Sequence, residues 1–147
     1  GGFLNVSLAT TRSELARSVL EGVAMNLRWL RGPVEKFARR RFSHFVFYGG
    51  AAASPAWAQI LADVLDAPVQ QARHPEFITC LGAGLLAFQR LGLLGFDDFE
   101  RRVPIERTCE PNPAHRALYD HLSAQFVETF RRNRPTFRAL NRTGAPV

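Results

Sequence analysis

The sequence predicts an α/β fold that is rich in helix and contains a short parallel pair of strands. The first observation is a run of four bulky apolar residues, 45–48, which is typical of a strand covered on both faces. The second is the small-residue turn at 49–53, followed by Ser54 and Pro55, which are favoured residues at the start of a helix. The third is a strand pattern at 68–72, which follows a helix long enough for a right-handed parallel crossover.

The composition indicates a globular protein of one domain, or a piece of one. The chain has 147 residues, of which 46% are hydrophobic and 22% charged. No apolar run approaches the roughly 18 residues that cross a bilayer and no signal peptide is visible, so no membrane partner is predicted. Cys80 and Cys109 are not spaced as a CxxC motif, which favours reduced thiols and a cytoplasmic location.

The positive charge is concentrated at the C-terminus. The net charge is +6, and five arginines without any acid in residues 131–147 supply +5 of it. The remaining 130 residues therefore carry a net charge of only +1. Because the basicity is local and no nucleic-acid-binding module is present, we expect no nucleic-acid partner.

The first long helix is predicted from residue 11 to about residue 31. Thr11 and Glu14 match a capping box at its start. An apolar stripe runs along the helix and is widened by smaller residues, which predicts burial against more than one neighbour. Gly22 is expected to permit a close backbone contact. The stripe consists of Leu15, Val19, Val23, Leu27 and Leu30.

A break and two further helices are predicted next. Gly32-Pro33 indicates the end of the first helix, with a short helical piece at 34–41. Residues 55–66 have the i, i+3, i+4 apolar pattern of a helix laid on a sheet. Residues 77–91 form the third helix, and its Gly82-Ala83-Gly84 segment offers a flat face to a sheet, a helix or a ligand ring.

The rest of the chain is predicted to be a connector, a final helix and a tail. Residues 92–110 form a loop-rich connector, in which Asp97 and Asp98 cap helices or face solvent. Asn112-Pro113 caps the final helix, and residues 133–147 form a weakly ordered Pro/Arg tail.

From the residues alone, the turn at 49–53 is the one suggestive site. The helix after it directs backbone N–H groups at the turn, which is a common way to hold a phosphate or nucleotide. A plain strand–turn–helix corner is the competing interpretation. The turn lacks the Gly-Lys-Ser/Thr of a phosphate-binding P-loop and the G-x-G-x-x-G pattern. No histidine has metal-ligand spacing and no nucleophile motif is present, so no catalytic or metal residue is predicted, and Asp63 and Glu21 are interpreted as structural acids.

Three blocks of the sequence resemble the C-terminal, nucleotide-binding domain of the FGGY carbohydrate kinases, most closely the xylulose kinase branch. Residues 1–22 resemble the family's second signature, which ends in A-V-L-E-G, and residues 81–87 resemble its L-G-A-A-x-L-A helix. Residues 49–64, GGAAASPAWAQILADV, resemble its segment GGGA-K/R-S-P-x-W-x-Q-I-x-A-D-V. Asn5, Ala51 and Ala53 depart from the family pattern, which has Gly, Gly and Lys or Arg there.

The resemblance implies part of an actin-like, ribonuclease-H-like ATPase domain. Residues 1–110 are expected to be the second half of its ATP lobe, residues 111–132 a C-terminal helix packed on it, and residues 133–147 a basic tail. It implies a sugar kinase that uses ATP and Mg²⁺, with a ketopentose such as xylulose as the sugar. By resemblance, the nucleotide-binding residues are Gly49, Gly50, Ala51, Ala52, Ser54 and Trp57.

The resemblance also implies partners for a chain that is itself a domain fragment. The family's N-terminal sugar-binding domain, which carries the catalytic base, has no counterpart here, so the isolated chain is expected to be inactive. Strand 45–49 is expected to have an open apolar edge that pairs with an N-terminal piece or a second copy. The alternative is a non-catalytic remnant or oligomerising module with the same fold.

Overall fold

The computed structural model describes residues 2–141, which form a short mixed sheet surrounded by helices. Single 3₁₀ turns connect several of the elements. In chain order the helices and strands are α1 (Arg12–Ala38), β1 (Phe45–Phe47), α2 (Pro55–Leu65), β2 (Val69–Ala72), α3 (Ile78–Arg90), α4 (Phe99–Arg102), β3 (Ile105–Cys109) and α5 (Arg116–Leu140).

The three strands pair in the order β1-β2-β3, which leaves β1 at one edge. β1 and β2 are parallel with Phe45 opposite Val69, so the predicted parallel pair is confirmed. β3 runs antiparallel to β2, with Val69 opposite Cys109. The prediction that 92–110 is only a connector was wrong, since it contains β3. Three exposed polar residues occupy the middle of β3, so the strand lacks an apolar alternation that would identify it.

Helix α1 continues through Pro33, so the predicted break and separate helical piece were wrong. Pro33 removes one backbone hydrogen bond, but tertiary contacts hold the turns beyond it. The Arg31 guanidinium donates to the Glu35 carboxylate (2.8 Å) and to the Leu65 carbonyl (2.9 Å). Glu35 in turn accepts from the Phe42 N–H at 2.9 Å. These contacts tie the end of α1 to α2 and to the chain that follows.

The apolar stripe predicted to be buried on α1 is largely exposed. Val19, Val23, Leu27 and Leu30 keep between 42% and 55% of their surface accessible. The buried residues of α1 are Ala24, which was predicted to widen the stripe, and Met25, which was not part of it, and Leu20 packs partly against the core. The close contact predicted at Gly22 is also wrong, because a Cβ placed on Gly22 would meet no heavy atom within 4 Å.

Strand β1 is covered on one face, whereas both faces were predicted to be covered. Phe45 and Phe47 pack on the core, while Val46 and Tyr48 are exposed. The core itself lies between this face of the sheet and helices α1, α2 and α5. Its buried residues are Ala24, Met25, Ala58, Ile60, Leu61, Ala62, Val64, Leu65, Val69, Cys109 and Tyr119.

Helix starts follow the predicted capping signals, whereas the end of α5 does not. The Thr11 capping box and the Ser54 cap are both present. Asp98 accepts from the Gly95 N–H at 2.9 Å, as predicted for a cap. Helix α5 extends through Pro135 to Leu140, so the first part of the predicted tail is helical, and residues 142–147 lie outside the described residues.

Two further findings concern the thiols and the membrane. Cys80 and Cys109 are both free, the first exposed and the second buried. Among residues 2–141, no helix is both long and apolar enough to cross a bilayer.

Candidate functional site

The candidate site lies at the carboxyl ends of the two parallel strands. Because β1 and β2 run in the same direction, the segments that follow them emerge at the same edge of the sheet. The turn at 49–53 follows β1, and Arg73–Pro75 follows β2. The Gly49 N–H donates to the Pro75 carbonyl at 2.9 Å and joins the two segments. Ligands of open α/β sheets bind at this edge.

The turn after β1 is a glycine followed by a single 3₁₀ turn, Gly50–Ala53. Gly49 has a φ of +87°, which a residue with a side chain adopts only with strain. The Ala52 N–H then donates to the Gly49 carbonyl at 3.0 Å. Ala52 is fully buried and Ala53 is exposed, so one methyl group anchors the turn while its neighbour faces outward.

The start of α2 offers fewer free N–H groups than the sequence suggests. Pro55 has no N–H, and the Trp57 N–H is taken by the Ser54 hydroxyl at 3.3 Å. The Ala58 N–H donates to the Ser54 carbonyl. Within the described residues, the Ala56 N–H alone among these positions has no assigned acceptor. The prediction of several free N–H donors at this helix end was therefore wrong.

A cavity of about 500 Å³ lies beside the turn. Its walls are Ala52 and Ala53 from the turn, residues 71–75 from the end of β2, and Glu106 from β3. A second cavity of about 320 Å³ adjoins it at the start of α3, lined mainly by Phe77, Ile78, Leu81 and Pro104. Arg73 and His74 contribute to both cavities, so the two cavities share part of their walls.

The predicted binding residues divide between the cavity wall and its support. Of the six, Ala52 lines the cavity, and Gly49, Gly50 and Ala51 belong to the same turn without lining it. Ser54 acts as the helix cap. Trp57 packs edge-on against Phe47, with ring centroids 5.7 Å apart, and so belongs to the core side of α2.

The part of the cavity wall contributed by β2 and β3 was not predicted from the sequence. Gln71, Arg73 and His74 sit at the carboxyl end of a strand that it did predict, so the parallel topology was a usable signal. The position of Glu106 in the cavity wall could not be predicted, because β3 was not identified from the sequence. The Arg73 and Glu106 side chains form an ion pair at 2.9 Å, so the charges of this wall largely compensate each other.

The small-residue segment of α3 remains open. No heavy atom lies within 4 Å of a Cβ built on Gly82 or Gly84. This agrees with the flat face predicted there, and it leaves room for a contact from outside the described residues.

Two carboxylates away from the cavity are structural, as predicted. Buried Asp63 accepts from the Gln59 amide (2.8 Å) and the Asn112 N–H (2.9 Å), and its second oxygen lies 2.8 Å from His115 Nδ1. Burial by itself raises the pKa of Asp63, but these hydrogen bonds outweigh it and lower the pKa below its usual value. Glu21 accepts from the hydroxyl of Tyr119 at 2.8 Å.

The described residues offer no site for a metal ion of their own. Across positions 2–141, no three His, Cys, Asp or Glu side chains are grouped as ligands. A Mg²⁺ ion that accompanies a nucleotide would therefore find no cluster of ligands among these residues.

Comparisons of this chain with known proteins all match one family. The model of the FGGY family of carbohydrate kinases, C-terminal domain, matches residues 1–90. The chain is 33% identical over 135 residues to autoinducer-2 kinase from Enterobacter sp. (strain 638) and 29% identical over 127 residues to L-fuculokinase from Escherichia coli (strain K12). These matches cover 87% and 86% of this chain but 25% of each relative.

The solved structures agree in fold. Xylulose kinase from Rhodospirillum rubrum superposes with a TM-score of 0.73 at 28% identity, over 93% of this chain and 28% of that one. The predicted fold class, a helix-rich part of an actin-like ATPase domain with a C-terminal helix, is confirmed, and its sheet is mixed because of β3. The chain spans about a quarter of the length of the relatives it matches.

Proposed function

Because this chain belongs to the FGGY family of carbohydrate kinases, we propose that it supplies the adenosine-binding side of the ATP lobe of a sugar kinase. The observation that carries this proposal is the cavity of about 500 Å³ where the two parallel strands end. Small-molecule sites of about 300–1,000 Å³ are usual, and this edge of an α/β sheet is their usual place. Within this proposal, residues 1–110 form the second half of the lobe and residues 111–132 the helix packed on it.

The turn provides the contact surface for the nucleoside through Ala52 and Ala53, which line the cavity. Gly49, Gly50 and Ala51 lie in the same turn and carry little or no side chain, so they do not obstruct the approach of a flat ring or a ribose to its backbone. Ala52 places its buried methyl between the turn and the core. Ser54 and Trp57 support the site indirectly, by capping α2 and by packing it on Phe47.

We assign the complete reaction to a longer protein. Transfer of a phosphoryl group from ATP to a sugar hydroxyl needs a base, Mg²⁺ and ligands for the γ-phosphate in one place. The described residues group no three metal-ligating side chains, and the relatives are about four times as long as the matched part. We therefore propose that an N-terminal sugar-binding domain carries the base, that the isolated chain is inactive and that the full protein works in the cytoplasm.

For the sugar we propose a ketopentose such as xylulose. The support is the 28% identity to the R. rubrum xylulose kinase over 93% of this chain. The autoinducer-2 kinase and L-fuculokinase relatives are 33% and 29% identical, so assays of the full-length protein should compare xylulose with fuculose and with the autoinducer.

A non-catalytic interaction module is the second candidate function. The edge of β1 is unpaired in the described residues, and an apolar stripe of α1 is exposed. Surfaces of this kind suit a non-catalytic interaction module that associates through β1 with another polypeptide.

Nucleotide binding distinguishes the two candidates. We expect saturable binding of ADP or ATP with Mg²⁺ in isothermal titration calorimetry at millimolar nucleotide, strengthened by Ala51→Gly and lost in Gly50→Trp. Gly22→Trp is the matched control, because it adds the same side chain at an open position far from the turn. Absence of binding by both the wild type and Ala51→Gly would reject the adenosine site in this chain and leave the interaction module.

A further inference from the structure

Gln71 is one of the two buried polar side chains among the described residues, with 7% of its surface exposed. It lies on β2, and its amide nitrogen donates to the carbonyl of Ala52 in the turn. Its amide oxygen accepts from Arg107 Nε of β3 at 2.8 Å. One side chain therefore connects the turn after β1 with β2 and β3.

The chemistry of the partners fixes the orientation of this amide. Arginine only donates hydrogen bonds and a backbone carbonyl only accepts them. The amide oxygen must therefore face Arg107 and the nitrogen must face Ala52. A glutamate at this position keeps the acceptor for Arg107 but lacks the donor for Ala52, so a near-isosteric change separates the two contacts.

The turn depends on this contact because its own side chains are so small. Glycine and alanine provide no polar group that holds the turn, and glycine loses much conformational freedom on ordering. The Gly49 N–H is held by Pro75 at one end, and the Ala52 carbonyl by Gln71 at the other. The two hydrogen bonds fix both ends of the segment beside the cavity.

We propose that Gln71 is a positioning residue for nucleotide binding, which holds the Gly49–Ala52 turn in its binding conformation. This inference rests on the proposed function. Gln71 also forms part of the cavity wall, so loss of its hydrogen bond opens the turn directly beside the ligand. Arg107 assists by orienting the amide.

The test compares Gln71→Glu and Gln71→Leu with the wild-type chain. Gln70→Leu is the matched control, because successive strand residues face opposite sides of the sheet and Gln70 is only partly buried. We expect ADP to bind about tenfold more weakly to both Gln71 variants, since a buried carbonyl without its partner is costly. We also expect faster hydrogen exchange at the amides of 50–54, with both quantities unchanged in Gln70→Leu.

The outcomes separate this inference from the function on which it rests. If the wild type binds ADP and the Gln71 variants bind it equally well, the positioning role is rejected and the proposed function stands. Faster exchange without loss of affinity would reduce Gln71 to a structural residue and reject the inference too. If the wild type binds no ADP, the proposed function fails, and the role of Gln71 in it fails as well.

Discussion

At the scale of single residues, Asp63 shows how one buried carboxylate fixes the place of α5. It is 4% exposed and lies on α2, yet two of its three partners belong to the segment that leads into α5. Those partners are the Asn112 N–H and the His115 ring, and Gln59 supplies the third contact from within α2. A buried charge is tolerated only with such partners, so the network specifies one docking position for α5.

Replacement of Asp63 by Asn should lower the free energy of unfolding by about 1–3 kcal/mol at neutral pH, because donors lose a charged acceptor. The folded-state pKa of Asp63 lies below its unfolded value of about 3.9. Its stabilising effect is therefore complete above that value and is lost as the pH falls through the folded-state pKa. The difference between wild type and Asp63→Asn should shrink accordingly below about pH 4.

Urea unfolding between pH 3 and 7 measures this effect. Asp97→Asn is the control, because Asp97 is exposed and should behave like wild type throughout. A difference between wild type and Asp63→Asn that does not change with pH would contradict the role given to the ionised Asp63.

At the scale of elements, the sequence predicted helix starts better than helix ends. The Thr11 box and the Ser54 cap are local chemistry, and both were found where predicted. Proline is also local, but its effect was overruled in α1, where contacts from Arg31 and Glu35 hold the helix beyond Pro33. Sequence pattern shows which residues break a helix, and it does not show which distant partners hold the helix together.

Dependence on distant partners also decides which parts of the sheet and of the cavity could be predicted from the sequence. β1 was predicted from its apolar run and β2 from a short strand pattern after a helix, whereas β3 depends on pairing with β2 and has an exposed polar centre. The turn half of the candidate site was therefore predictable. Gln71 could have been placed in the cavity wall from the parallel topology, whereas Glu106 required the register of β2 with β3.

Pro33→Ala should stabilise the protein by up to about 3 kcal/mol, because it restores an N–H within α1 and removes the clash of the proline ring. Thermal unfolding followed by circular dichroism would show a higher Tm. Pro55→Ala is the matched control: Pro55 is the first residue of α2, where the missing N–H costs nothing, so its Tm should fall slightly or stay unchanged. A lower Tm for Pro33→Ala would mean that the end of α1 requires the proline.

At the scale of the whole molecule, the exposed stripe of α1 and the free edge of β1 are two apolar features without a partner among the described residues. Arg31 of α1 lies over the ring of Phe45, 5.3 Å from its centroid, so the second half of α1 contacts the edge strand. Trp29 contacts Phe130 of α5 on another side of α1. We name the exposed side the apolar flank, which consists of Val19, Val23, Leu27, Leu30 and Val34.

The free edge of β1 also has backbone hydrogen-bonding groups that do not pair with β2. The Phe45 N–H donates to the Pro68 carbonyl on the β2 side. Because N–H directions alternate along a strand, the Val46 N–H points away from β2. A further strand placed there would pair with β1. Since the chain spans about a quarter of its relatives' length, we propose that polypeptide outside this chain covers the free β1 edge and the apolar flank in the full-length protein.

In the isolated chain the free β1 edge and the apolar flank should cause self-association, and charged residues introduced on the flank should abolish it. The double variant Val23→Glu/Leu27→Lys replaces two exposed apolar residues by an i, i+4 ion pair that supports the helix. We expect the wild type to form dimers or larger species at tens of micromolar in sedimentation velocity, with slow hydrogen exchange at Val46, whereas the double variant remains monomeric. Leu86→Glu is the control on α3, because it replaces an exposed apolar residue and forms an i, i+4 ion pair with Arg90, and it should associate like wild type. A monomeric wild type with fast exchange at Val46, or equal association of the double variant and Leu86→Glu, would show that the apolar flank and the β1 edge are not the contact.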